Sequence, residues 1–340
     1  MVQSNIPNMD VNERISQGFP NFRGGTNTQQ MNRRIFLGTL GTAATLPLFP
    51  GVIFVHGENP APIPFGGPLF EPYESPAQWV EQLKRLGYGA AYCPVQPGAD
   101  EQLIRAYREA ALDHHIVIAE VGAWSNPLSP DHSEAEAAIN KCVAGLELAD
   151  LIGARCCVNI SGSLNREYWA GPHPENLSEE TFERVVENTR RIIDAVRPVR
   201  SYFALEAMPW SFPDSTDTYL KLIRAIDRER FGVHLDPVNL ITSVRSYFGN
   251  GALIRDMFAR LGPWIRSCHA KDITLRQDNY IPQLDELRPG LGGLDYRVFL
   301  QELSRLRDVP LMMEHLQTDE EYKLAAEHIR SVGRSMQIQM

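Results

Sequence analysis

The chain has 340 residues, of which 43% are hydrophobic and 22% are charged, and its formal net charge is -9. This composition is typical of a globular protein with enough apolar material for a large core. The acidic balance, with no Lys/Arg run among aromatic residues, argues against nucleic acid as a partner. The five cysteines lack CxxC spacing, so neither a disulfide framework nor a structural zinc site is predicted.

The first 50 residues differ in composition from the rest of the chain. Residues 1–30 are polar and carry no apolar period, so we expect a disordered extension. Residues 31–50 contain Arg33 and Arg34 before a weakly apolar stretch and resemble a twin-arginine export signal, which predicts a periplasmic protein. The alternative is two basic residues before a buried segment of a cytoplasmic protein. The stretch is too short to span a bilayer, so no stable membrane anchor is expected.

From residue 52 onward, short apolar runs alternate with longer segments of helical period, which predicts parallel βα units. In the first half the predicted strands are 52–56, 88–94, 116–121 and 155–160, with helices over 76–86, 100–113, 133–152 and 178–195. In the second half the strands are 202–206, 231–236, 265–271 and 310–314, with helices starting near 216, 251, 295 and 319. Eight units over residues 52–335 predict one α/β domain, a (β/α)8 TIM barrel. No GxGxxG motif follows the first strand, which disfavours an open dinucleotide-binding sheet.

Polar residues close four successive predicted strands in the second half of the chain. In a βα barrel such strand ends meet at one rim, where active sites lie. The residues are Glu206, Asp236, His269 and Glu314. Three converging carboxylates would repel one another without a cation, so a divalent-metal site is predicted. Mixed oxygen and nitrogen ligands with few thiolates favour Mn²⁺, with Mg²⁺, Co²⁺ or Zn²⁺ as alternatives.

Other residues near the predicted rim are candidates for binding a substrate. They are His56, Glu58, His173, Trp210, His234, Asn239 and Lys271. His234 lies two residues before Asp236 and one layer deeper, so it is either a buried support or a substrate contact. Lys271 shares a face with His269, where it either holds a substrate oxygen or forms a salt bridge with a rim carboxylate.

Three tryptophans, Trp124, Trp169 and Trp210, follow predicted strand ends. Rings at these positions suit stacking on a sugar, and a hydrophobic lid is an equally good account. The Gly-rich segment 289–293 lacks the Lys-Ser/Thr of a phosphate-binding loop and is predicted to form a turn.

The order Glu, Asp, His and Glu on strands five to eight resembles the xylose isomerase-like barrel superfamily, which holds sugar isomerases, ketose 3-epimerases, inosose dehydratase and apurinic endonuclease. The segments 269–272 (His-Ala-Lys-Asp) and 290–296 (Gly-Leu-Gly-Gly-Leu-Asp-Tyr) are similar to stretches in its sugar phosphate isomerase/epimerase proteins. The resemblance covers residues 52–335. It implies that the four rim residues hold the metal and that Glu206 and Glu314 also act as the acid–base pair.

Two positions depart from the ketose 3-epimerases, which carry a second Glu six residues after the first ligand and a His three after the Asp. Phe212 and Asn239 stand at those positions here. A tight grip on a free ketose is therefore not expected, and Phe212 beside Trp210 would suit a larger, partly apolar keto-glycoside. The extra histidine ligands of apurinic endonucleases are also missing.

The resemblance implies a small-molecule carbohydrate substrate and a metal-dependent isomerase or epimerase that removes a proton next to a carbonyl to give an enediolate. A lyase with the same residues, acting on an inosose or a 3-keto-glycoside, is the alternative. A non-catalytic sugar-binding subunit is an alternative of another class, which the intact ligand set disfavours. A homo-oligomer is compatible with the sequence.

Overall fold

The computed structural model of the protein describes residues 60–340, which contain a closed barrel of eight parallel strands. The strands in chain order are β1 (Phe65–Gly66), β2 (Ala90–Tyr92), β3 (Val117–Gly122), β4 (Cys156–Asn159), β5 (Tyr202–Glu206), β6 (Phe231–Leu235), β7 (Ile265–Ala270), β8 (Asp272–Leu275), β9 (Leu284–Leu287) and β10 (Leu311–Met313). All except β8 and β9 belong to the barrel, and β10 closes it by pairing with β1 and β7. The predicted (β/α)8 TIM barrel is confirmed.

Helices follow the barrel strands. Within residues 60–340 they are α1 (Pro76–Leu86), α2 (Glu101–Asp113), α3 (His132–Ile152), α4 (Glu179–Val196), α5 (Thr216–Ile226), α6 (Val244–Phe248), α7 (Asn250–Leu261), α8 (Tyr296–Leu303) and α9 (Asp319–Ser335). Helix starts were predictable because polar side chains cap them: Ser75 and Ser178 accept hydrogen bonds from backbone N–H groups of α1 and α4. In this part of the chain no helix has both the length and the apolar character needed to cross a membrane.

The first barrel strand is not the predicted one. It is β1, a two-residue strand in a Pro-rich segment, so the assignment of residues 52–56 as the first strand of the barrel is wrong. The carbonyl of Pro64 accepts from Leu311 N at 2.9 Å and that of Phe65 accepts from Gly89 N at 3.0 Å. A Cβ atom on Gly66 would lie 2.0 Å from the Ala90 carbonyl oxygen, so this close pairing requires glycine.

Several predictions fall on residues before 60 and therefore lie outside the described residues. They concern the extension 1–30, the export-like segment 31–50 with Arg33 and Arg34, and the substrate-binding candidates His56 and Glu58. These remain predictions.

An antiparallel hairpin of β8 and β9 follows β7, which the sequence analysis did not predict. Asp272 stabilises its base, because its carboxylate accepts hydrogen bonds from the N–H groups of Gly290, Gly292 and Leu294 at 2.9–3.0 Å. The Gly-rich segment therefore forms a turn, as predicted, with Gly290 at a φ of +96°. The hairpin also brings Glu286 to within 3.7 Å of Lys271 Nζ at the barrel mouth.

Candidate metal centre

Four side chains from adjacent strands meet at the C-terminal end of the barrel. Glu206 ends β5, Asp236 follows β6, His269 lies in β7 and Glu314 follows β10. Each offers one potential ligand atom, and these atoms all lie within 4.8 Å of one another. The side chains are 0–12% exposed. The structure therefore brings together the four residues that the sequence singled out.

The ligand atoms are close to one another but poorly satisfied. Nδ1 of His269 lies 2.8 Å from Glu314 Oε1 and 3.5 Å from Glu206 Oε1. Among residues 60–340, however, no hydrogen bond of acceptable geometry reaches His269 Nδ1, Glu314 Oε1 or Asp236 Oδ2, and all three atoms are buried. Buried polar atoms are normally paired. Converging nitrogen and oxygen atoms of this kind fit a divalent cation such as Mn²⁺, Co²⁺ or Zn²⁺.

A carboxylate that sequence reasoning missed lies beneath His269. Glu120 in β3 is 2% exposed, and its Oε1 lies 3.2 Å from His269 Nε2. Its Oε2 accepts a hydrogen bond from Ser267 Oγ at 2.9 Å. A metal-ligating histidine commonly donates its second N–H to such a carboxylate, which fixes the tautomer and aims the other nitrogen. The signal in the sequence was a glutamate inside an otherwise apolar strand.

His234 lies one layer below His269, with the ring centroids 4.0 Å apart at an interplanar angle of 74°. Its Nδ1 is 3.4 Å from Glu120 Oε2. The residue is fully buried, which matches the buried-support alternative considered for it, and its contact with a substrate remains a prediction. Burial, followed by the charge of His269, lowers the pKa of His234 to about 4. The imidazole is therefore neutral near pH 7 and supports His269 by packing.

Lys271 and Asn239 orient the rim carboxylates. The Lys271 ammonium lies 2.9 Å from Asp236 Oδ2 and 2.6 Å from Glu314 Oε1, which matches the salt-bridge alternative considered for it. Asn239 Nδ2 donates to Glu206 Oε1 at 3.0 Å and to the carbonyl of the next residue at 3.1 Å. The amide hydrogens of Asn239 are thus engaged in holding Glu206. Direct contact of either residue with a substrate remains a prediction.

The two glutamates of the cluster differ in acid strength. Burial, followed by the charge of Glu314, raises the pKa of Glu206 to about 7. Burial would also raise the pKa of Glu314, but His269 and Lys271 together lower that pKa well below its usual value. Without a cation between them, Glu206 can therefore hold a proton near neutral pH while Glu314 is ionised. Environments that separate two carboxyl pKa values in this way suit an acid and a base.

Trp210 and His173 lie in loops near the mouth. The Trp210 indole N–H donates to a backbone carbonyl in the loop after β4 at 2.5 Å, and His173 Nδ1 accepts from a backbone N–H two residues later at 3.3 Å. In the described part of the chain no hydrogen bond or ion pair joins them to the four cluster residues, so their substrate contacts remain predictions. Phe212 is buried edge-on against Phe182, with centroids 5.3 Å apart. Its suggested role in lining the substrate site is wrong.

The sequence matches the family model described as xylose isomerase-like TIM barrel over residues 80–332. Because the match covers well over half of the chain, the protein belongs to this family. Comparison with curated proteins found no match.

Solved structures share the barrel at low sequence identity. A xylose isomerase-like TIM barrel protein from Mycobacterium smegmatis in complex with magnesium is 16% identical, with a TM-score of 0.56 over 81% of this chain and 96% of that one. A 3-keto-D-glucoside 4-epimerase from E. coli is 12% identical, with a TM-score of 0.58 over 79% and 99%. Endonuclease IV from Thermus thermophilus is 15% identical, with a TM-score of 0.61 over 80% and 99%. At these identities the likeness shows the fold alone.

Proposed function

We propose that the protein is a divalent-metal-dependent sugar isomerase or epimerase that removes a proton next to a carbonyl and proceeds through an enediolate. The observation that carries this proposal is the convergence of four potential ligand atoms within 4.8 Å, on side chains that are at most 12% exposed. Glu206, Asp236, His269 and Glu314 would hold the ion, and Mn²⁺ is favoured. When bound, it would polarise the carbonyl and stabilise the developing negative charge.

The residues of the chain supply the proton transfers. Glu206 and Glu314 act as the acid–base pair, and His269 and Lys271 keep Glu314 ionised. The two glutamates come from β10 and β5, which β7 and β6 separate in the barrel, so they approach a substrate from different sides. Asn239 fixes Glu206 and Lys271 places a positive charge beside Glu314.

Exchange of substrate hydrogen with solvent deuterium tests the proposal. The Mn²⁺-loaded protein is incubated in D₂O with a fructose-type ketose, an inosose and a 3-keto-glucoside. We expect deuterium at the carbon next to the carbonyl of at least one sugar, and loss of this exchange in Glu314→Gln. Glu175→Gln, in an exposed loop, is the matched control and should exchange normally.

Metal content must be measured in the same samples, because Glu314 is also a proposed ligand. Absence of exchange on every sugar by a protein that holds metal stoichiometrically would overturn the enzyme assignment. Calorimetric binding of the same sugars without exchange would then support the sugar-binding subunit.

A lyase with the same residues is the second candidate, and Asn239 favours it. The amide of Asn239 donates to Glu206, and Phe212 is buried in the core. Neither residue is therefore placed to bind a free ketose, as the resemblance implies for the His and the second Glu of the ketose 3-epimerases. We infer that a sugar held in a ring, such as an inosose or a 3-keto-glycoside, fits better. One glutamate of the pair takes the proton of the C–H bond next to the carbonyl, and the electron pair of that bond forms a C=C bond. The β leaving group departs with its bonding electrons and takes a proton from the other glutamate.

The lyase predicts weak turnover of free ketoses, together with release of the leaving group from a 3-keto-glycoside. Product analysis by NMR distinguishes the two candidates. Efficient epimerisation of a free ketose, with no exchange or elimination on keto-glycosides, would reject the lyase.

We also propose export by the twin-arginine route, which rests on Arg33 and Arg34. Replacing both by Lys should retain a reporter fusion inside the cell. A cytoplasmic location of the unmodified fusion would contradict the proposal.

A further inference from the structure

A second concave surface lies between the loops that follow β3 and β4, at the same end of the barrel as the candidate metal centre. Its volume is about 410 Å³, within the usual size range of small-molecule sites. The lining includes three carboxylates, one guanidinium and two aromatic rings: Asp131, Glu134, Glu167, Arg166, Tyr168 and Trp169. None of these residues belongs to the metal cluster.

Two tryptophans, Trp124 and Trp210, lie close to the loops that form this cavity. Trp124 stands two residues before the cavity residue Asn126, and its ring centroid lies 6.5 Å from that of His269. On the other side, Trp210 donates its indole N–H to the carbonyl of Ala170, the neighbour of Trp169 in the chain. The loop after β3 thus passes beside His269 at Trp124 before it reaches the cavity at Asn126.

The loop after β4 is built around buried hydrogen bonds. Ser163 and Asn176 are both fully buried, and Ser163 Oγ donates to the Gly171 carbonyl at 2.6 Å. Asn176 Oδ1 accepts from Leu164 N at 2.9 Å. Asn126, from the other loop, donates to the Ser163 carbonyl and accepts from the Ser163 N–H, both at 2.8 Å. The loop backbone is thus preorganised, which lowers the entropic cost of binding a ligand there.

This rigid loop holds two aromatic rings open to solvent, with Tyr168 57% and Trp169 40% exposed. A pyranose ring has an apolar C–H face that packs on such a ring, and hydroxyls that donate to carboxylates and accept from a guanidinium. Three carboxylates against the single guanidinium of Arg166 give the lining a negative balance. That charge disfavours a phosphate and favours an uncharged sugar.

We propose that this cavity is a subsite for a second, uncharged sugar ring, so that the substrate is a keto-glycoside of two linked rings and not a sugar phosphate. The inference rests on the proposed function, because the ring that reacts is placed at the metal centre. The second ring packs on Trp169 and Tyr168 and exchanges hydrogen bonds with the carboxylates and Arg166.

Calorimetric titration of the Mn²⁺-loaded full chain with cellobiose measures the subsite without turnover. We expect Trp169→Ala and Tyr168→Ala each to weaken binding, the former by about tenfold, the order expected for losing one stacking ring. Phe248→Ala removes another exposed ring, 76% exposed, that does not line the cavity, and should leave binding unchanged. Equal cellobiose affinity in the wild type and Trp169→Ala overturns the subsite, as does tighter binding of glucose 6-phosphate than of cellobiose.

Deuterium exchange separates failure of the subsite from failure of the proposed function. On 3-ketocellobiose, Trp169→Ala should raise KM about tenfold with kcat unchanged, because uniform binding is removed, whereas on 3-ketoglucose it should match the wild type. Identical kinetics of the two proteins on 3-ketocellobiose overturn the subsite and leave the proposed function standing. Absence of exchange on both sugars, with cellobiose binding weakened in Trp169→Ala, overturns the proposed function and supports the subsite.

Discussion

The two sides of the barrel mouth are built differently. On the side of β5, β6, β7 and β10, the polar groups sit at strand ends, are buried, and lie within contact distance of one another. On the side of β3 and β4, the polar and aromatic groups that line the second cavity sit mainly on loops, and Arg166, Tyr168 and Trp169 are open to solvent.

This difference matches two physical requirements. Ligand atoms for a cation must keep a fixed geometry against mutual repulsion, which strand ends pinned by sheet pairing can do. Recognition of a ligand by stacking and hydroxyl contacts tolerates looser positions, which loops on a rigid scaffold provide. Metal binding on the strand side is therefore expected to respond to a change of a single ligand atom. Sugar binding on the loop side is expected to respond to the loss of a whole aromatic ring.

The largest effect should come from the strand side. Asp236→Asn or Glu206→Gln removes a buried negative charge from the cluster, so metal content should fall by well over tenfold while the barrel stays folded. Metal analysis after dialysis, with circular dichroism as the check on folding, measures this. Glu175→Gln serves as the loop-side control with unchanged metal content, and full retention of metal in both cluster variants would contradict the assignment.

The next largest effect on metal binding is expected for substitution of Glu120, which lies in β3 but contacts His269 of the strand-side cluster. Glu120→Gln leaves His269 without a carboxylate on Nε2, so metal affinity should fall by about tenfold or more, as is typical for a group that orients a ligating histidine. Competition with a chromogenic chelator measures the affinity. Ser267→Ala, which removes only the hydroxyl that bonds Glu120, should have a smaller effect. An affinity equal to that of the wild type would show that Glu120 does not position His269.

The smallest effect on metal affinity is expected for substitution of Lys271. Its ammonium lies beside the oxygens of Asp236 and Glu314 that would bind the cation, and like charges repel. Lys271→Met should therefore raise metal affinity a few-fold while lowering the exchange rate, because the positive charge beside Glu314 is lost. Lys221→Met, which breaks an exposed salt bridge with Glu179, is the control. Weaker metal binding in Lys271→Met would show that the ammonium supports the carboxylates more than it competes with the metal.

Most barrel elements were predictable because each carries a local pattern. The helix 76–86 and the strand 202–206 have the predicted bounds, since an N-cap serine, a Pro at the helix start and an apolar run define them within a few residues. β1 carries no such pattern, because it is two residues long, among prolines, and paired only through its neighbours in the closed barrel. The β8–β9 hairpin was missed because its outer strand is only partly buried and polar.

The four cluster residues were also predictable, because a parallel barrel brings the C-terminal ends of its strands to one rim. The residues that position these four side chains were not predictable. Glu120 contacts His269 although the two residues are 149 positions apart in the chain, and no local sequence pattern predicts such a contact. Phe212 follows a strand end in the sequence, yet its ring turns into the core against Phe182.

The sequence by itself determined the barrel and the four groups that meet at its mouth. Hydrophobic periodicity and polar residues at strand ends are local features of the sequence, and the parallel barrel brings those strand ends to one rim. Only the tertiary structure decided which atoms face each other: Nδ1 of His269 toward Glu314, Nε2 toward Glu120, and the Lys271 ammonium toward two carboxylates. Packing chooses these rotamers and tautomers from contacts between residues far apart in the chain. That information exists only once the barrel has closed.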